Sequence, residues 1–147
     1  MDNLITSSTT LDDERLALLN AIADTLLPAS ADGVMPSAGD LDLWGYLAQF
    51  EPDAGEDVLA MIGHFDAGFA AQTLDERVEA MTAFSESEPA LFRAVLPRVY
   101  GCYYQHDRVM EGIGLAKGPP FPRGNEVESG DLSLLDPVTA LDRTYRS

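Results

Sequence analysis

Apolar residues recur at helical spacing through most of the chain and then continue without a period. Leu16, Leu19, Ile22, Ala23 and Leu26 mark one face of a helix over Leu11 to Leu27, which Pro28 ends. Thr10 is its expected N-cap, and Asp12, Asp13 and Glu14 sit near the positive end of its dipole. A turn-rich loop, residues 28 to 39, leads to a short helix capped by Asp40 and running to Phe50, with Leu43, Trp44 and Leu47 inward. Pro52 and Asp53 open a third helix to about Ala71, with Val58, Ile62, Phe65 and Phe69 on one face and His64 beside it. Thr73 and Glu76 form a capping box for a fourth, ending near Phe84 and using Leu74, Val78 and Met81.

The next stretch differs in kind. Ser87 and Pro89 start a fifth helix, in which Phe92, Val95, Leu96, Val99 and Tyr103 form the core stripe while Tyr100 and Tyr104 point about a quarter turn away. Pro97 lies inside it, removes the hydrogen bond to the Arg93 carbonyl and predicts a kink. Gly101 leaves a side-chain-free spot where another backbone can approach. Asp107 caps a short helix over Arg108 to Ile113, closed by Gly114. From Lys117 no helical or strand period is legible. The tail is rich in Gly and Pro but keeps Phe121, Val127, Leu132, Leu134, Leu135, Val138, Leu141 and Tyr145, more hydrophobes than a disordered segment carries. It is expected to lie along a surface, either its own helices or another protein.

These elements predict an all-α fold of five to six helices, divided into an N-terminal arm (1–10), a helical domain (11–116) and an extended Pro/Gly-rich tail (117–147). A hydrophobic fraction of 46% with 23% charged residues is that of a folded domain, and no apolar run reaches the length of a membrane span. The net charge of −16 resides in residues 1 to 92, and such an acidic chain is a poor partner for nucleic acid. Cys102 is the one cysteine, which excludes an internal disulfide, a CxxCH haem attachment and a multi-cysteine metal site. The first basic residue is Arg15, so no signal peptide or twin-arginine motif is legible and a cytoplasmic location is expected.

Catalytic signatures are missing: no HExxH, GxSxG, GxGxxG after a strand, or P-loop. The chain is therefore expected to hold no catalytic residue, metal or cofactor of its own.

The segments LLNAIADTLLPASADGVMPSAGD, VYGCYYQHDRVMEGIGLAKGPPFPRG and a late SLLDPV, in that order, resemble the small subunit of gluconate 2-dehydrogenase and related flavin dehydrogenases, known as subunit 3 or the gamma subunit. The resemblance runs over nearly the whole chain. It implies an accessory subunit beside a large FAD-dependent subunit of the glucose-methanol-choline oxidoreductase type, which carries the flavin and oxidises a sugar, sugar acid or other alcohol. Many members of that family carry a twin-arginine export signal, and its absence here favours a cytoplasmic complex. The contact residues expected are Tyr100, Gly101, Tyr103, Tyr104, Pro119, Pro120, Phe121, Pro122, Leu134, Leu135, Pro137, Arg143 and Tyr145, because aromatic anchors dominate interface energetics. The alternative is a transient helical adaptor or assembly chaperone for the flavoprotein. An enzyme in its own right would need a pocket of convergent polar groups.

Overall fold

The computed structural model describes residues 11–118 and 130–141. The architecture is all-helical, with no strand among the described residues. Helices α1 (Asp13–Leu26), α2 (Leu43–Phe50), α3 (Gly55–Ile62), α4 (Leu74–Ser87), α5 (Pro89–Gln105) and α6 (Asp107–Gly112) build one core, and a short turn, α7 (Asp136–Thr139), follows. Two helices organise the packing. The first, α1, lies on α3, α4 and the 3-10 turns Ala38–Asp40 and Ala67–Ala71, while α5 lies on α2, α3, α4 and α6. Leu19, Ile22, Leu47, Val58, Met61, Val95, Val99 and Val109 fill the space between them, each almost completely buried.

Side-chain oxygens start three of these helices, α1, α2 and α4. Asp12 accepts from the Arg15 N–H to cap α1, Asp42 from Gly45 to cap α2, and Asp66 from Gly68 to start the Ala67–Ala71 turn. Asp12 replaces the expected Thr10, which lies outside the described residues, and Asp42 replaces Asp40, which belongs to the preceding 3-10 turn. The Thr73–Glu76 capping box forms as read, with both reciprocal bonds present, and α4 runs one turn further than expected, to Ser87. Part of the acidic excess thus satisfies backbone donors that no intrahelical carbonyl can reach.

Three expectations are corrected by packing. The third helix stops at Ile62 instead of Ala71, because Asp66 offers a competing cap and the chain turns so that Phe65 meets Phe69 and Phe84. In α4, Leu74 and Val78 are exposed, and the helix turns Arg77 toward α1 together with buried Met81 and Phe84. Finally, Ser87 belongs to α4, and α5 runs from Pro89 through Pro97 to Gln105. Ser87 does not cap it: its hydroxyl donates to the Phe84 carbonyl, and Pro89 opens the helix without a side-chain cap.

The loop between α1 and α2 is part of the core. Ser30 N–H donates to the Met35 carbonyl, the Asp32 carboxylate accepts from the Ser30 hydroxyl and the Val34 N–H, and Gly33 supplies the positive φ of 73° that this reversal needs. Pro36, Ser37 and Ala38 are buried behind it.

Candidate docking surface

Helix α5 presents three faces with different occupants. Val95, Val99, Cys102 and Tyr103 face the core. Tyr103 is 3% exposed and its hydroxyl donates to the Pro36 carbonyl at 2.9 Å, tying α5 to the α1–α2 loop. Burial accordingly raises the pKa of this phenol. Its place in the core stripe is as read, and that burial takes it out of the expected docking set.

The second face belongs to α2. A Cβ on Gly101 would stand 3.1 Å from the Tyr46 hydroxyl, so what approaches this glycine is a side chain of the same molecule, not a foreign backbone. Tyr46 accepts from the Gln105 amide at 3.2 Å and donates to Glu51 at 3.4 Å, and its ring leans on Phe50 with centroids 5.2 Å apart. Burial, then the Glu51 carboxylate, raise the pKa of its phenol. An open cavity of about 570 Å³ lies here, lined by Tyr46, Phe50, Cys102, Gln105 and His106. Cys102 and His106 share it, yet no hydrogen bond joins them among the described residues. His106 Nδ1 instead accepts from the Arg108 N–H and caps α6, the role expected of Asp107.

Burial, and secondarily the Asp42 carboxylate, push the Cys102 thiol up to about 11, opposite to what a nucleophile requires. At pH 8 the native thiol should therefore react with an aromatic disulfide reagent at least ~10-fold more slowly than the urea-unfolded thiol. Between about pH 9 and pH 11 the unfolded chain ionises this thiol while the folded chain keeps it protonated, so stability falls as pH rises through that window. A Cys102→Ala chain should lack that component in its stability–pH profile.

The third face is open. Arg93, Pro97, Tyr100 and Tyr104, spaced i, i+4, i+7 and i+11, are all exposed and form one stripe along the helix. The two phenol rings meet edge to face with centroids 6.3 Å apart, and Arg93 has no ion pair among the described residues. Arg93 and Pro97 were absent from the sequence-based set, although the i+7 spacing from Arg93 to Tyr100 carried the signal.

A second open surface is the segment 130–141. Asp131 accepts from both the N–H and the hydroxyl of Ser133, starting a 3-10 turn, Leu132–Leu135, that passes into α7 with Pro137 in its first turn. The period missed in the sequence is thus a capped turn too short to show in a hydrophobic pattern. Every residue here is exposed, and Leu132, Leu134, Leu135, Val138 and Leu141 leave 53 to 75% of their surface in solvent. Pro119, Pro120, Phe121, Pro122, Arg143 and Tyr145 lie outside the described residues. Where the described chain leaves α6, Lys117 pairs with Glu111 at 2.8 Å and the Gly118 N–H donates to Asp107, which anchors the start of the tail.

A second concavity of about 460 Å³ is lined by His64, Phe65, Phe69 and Phe84, with His64 edge-on to Phe84 at 5.1 Å. No group of three or more His, Cys, Asp or Glu side chains arranged to hold a metal ion occurs among the described residues, and none of their helices is long and apolar enough to cross a membrane. No family model, curated protein or solved structure matches the chain.

Proposed function

We propose that this chain is a non-catalytic small subunit that binds and stabilises a large FAD-dependent oxidoreductase subunit of the glucose-methanol-choline type, in a cytoplasmic complex acting on a sugar, sugar acid or other alcohol. The partner class rests on the resemblance of the chain's segments to gluconate 2-dehydrogenase subunit 3. The observation that carries a docking role is the segment 130–141, where five large aliphatic side chains within ten residues stand in solvent. Isolated apolar side chains on a surface need no explanation, but a contiguous group of this kind marks an interaction site. In the proposed complex these side chains enter the large subunit, with Tyr100 and Tyr104 as a second aromatic contact, and the raised thiol pKa of Cys102 fits a chain without a nucleophile of its own.

Co-expression with the neighbouring reading frame of its genome, followed by purification on a tag on this chain, tests the proposal. The expected product is a yellow two-band complex. A Leu134→Asp/Leu135→Asp chain should keep its own helical circular dichroism yet recover at least ~10-fold less flavoprotein, as loss of central anchors does. Recovery of a colourless single chain would overturn the partner class, and full recovery by the double variant would overturn the docking segment. If the flavoprotein co-purifies from lysate but is active and pure without this chain, the adaptor reading replaces it.

A further inference from the structure

The two open surfaces carry the same pattern with opposite charge. On α5 a cation, Arg93, is followed along one stripe by Pro97, Tyr100 and Tyr104. On the tail an anion, Asp131, is followed at i+3/i+4, i+7 and i+10 by Leu134 and Leu135, Val138 and Leu141. Their lengths also agree. Eleven residues of α-helix rise about 17 Å, and the 3-10 turn plus α7 and its exit rise about 16 Å. A parallel alignment sets Arg93 against Asp131, Pro97 against the leucine pair, Tyr100 against Val138 and Tyr104 against Leu141. Neither charge has an ion pair among the described residues. Both surfaces are exposed in the single chain.

We infer that the segment 130–141 of one copy docks on the Arg93–Pro97–Tyr100–Tyr104 stripe of a second copy, reciprocally, giving a two-fold dimer. One such contact is smaller than the roughly 1,200–2,000 Å² of a stable interface, and two-fold exchange doubles it. The dimer is correspondingly weak, and the acidic remainder of each chain opposes it through mutual repulsion that salt screens. The same surfaces serve the proposed heteromeric contact, so self-association and capture of the large subunit exclude each other. The inference does not depend on that reading, because it concerns the isolated chain.

Sedimentation equilibrium of the full chain at ~0.15 M salt, over micromolar to millimolar concentration, tests it. The expected result is a monomer–dimer equilibrium. Arg93→Glu should weaken it about 10-fold, and adding Asp131→Arg to that variant should restore it to within about 3-fold. Asp131→Asn keeps a capping oxygen while removing the charge, and should weaken the dimer on its own, which separates the charge effect from loss of the turn. Leu135→Asp should leave a monomer. A chain that is monomeric at every concentration overturns the inference, whether the segment then lies on its own α5 or on nothing, and so does a dimer that Arg93→Glu alone leaves unchanged. Pull-down of the flavoprotein reports the proposed function separately.

Discussion

Replacing Gly39 by alanine is expected to cost about 2–3 kcal/mol, although the change adds a single methyl group. A Cβ at this position would be driven into the Asn20 carbonyl oxygen of α1 and stand 3.0 Å from Asp24 Cβ. The first obstacle is backbone, held by the hydrogen bonds of α1, and cannot rotate away as a side-chain tip could. The turn Ala38–Asp40 must instead lift off α1, which loosens buried Ala38 and its N–H bond to the Leu27 carbonyl. For a chain of this size the loss corresponds to a melting point lower by roughly 6–10 °C. Gly33→Ala provides the contrast. That residue needs a positive φ but has nothing within 4 Å of its Cβ, so only backbone strain opposes the change, about 1 kcal/mol. Thermal unfolding of the two variants followed by circular dichroism checks the order. A Gly39→Ala chain as stable as the parent would show that α1 and the turn are not held at this distance.

Arg77→Ala should destabilise the chain by a similar or larger amount, about 2–4 kcal/mol. The Arg77 side chain is 12% exposed. Its guanidinium donates to the Ala21 carbonyl at 3.1 Å and to Asp24 Oδ2 at 2.6 Å, and the other Asp24 oxygen accepts from the buried Ser37 hydroxyl. One cation thereby joins α4, α1 and the loop before α2. Its removal leaves a half-buried carboxylate without its counter-charge and a cavity beside Met81 and Phe84 on α4. The exposed pair Arg15–Asp12, with side chains 59% and 64% exposed and 3.9 Å apart, has the same charges and no such consequence. Arg15→Ala should change stability by no more than about 0.5 kcal/mol, since solvent already satisfies both groups. Urea unfolding followed through Trp44, the chain's one tryptophan, measures both. Equal effects of the two substitutions would remove the argument from burial.

The difference between these two arginines marks the limit of what was legible in the sequence. Helical periodicity placed Leu19, Ile22, Leu47, Val58 and Val99 inside, and all five are buried. The Thr73–Glu76 box and Pro89 marked helix starts correctly, because capping is settled by residues within four positions of each other. Tyr103 inward with Tyr100 and Tyr104 outward also followed from angle alone, and the structure agrees. Competition between local signals was harder. Asp12, Asp42, Asp66 and His106 are caps that one sequence offers alongside Thr10, Asp40 and Asp107, and packing of the following helix decides between them.

Local chemistry along the chain therefore determined the helical class, the helix starts at Thr73 and Pro89, most of the inward residues and the existence of apolar side chains with no core to enter. Tertiary structure alone decided that Arg77 reaches Asp24 across 53 residues, that Tyr103 bonds Pro36 across 67, that Gly101 and Gly39 are filled by Tyr46 and by the backbone of α1, and that the stripe of Arg93, Tyr100 and Tyr104 is left open. The physical reason is range. Capping and periodicity act within one or two turns, whereas an ion pair, a buried hydroxyl or a close glycine contact depends on where a distant segment comes to rest.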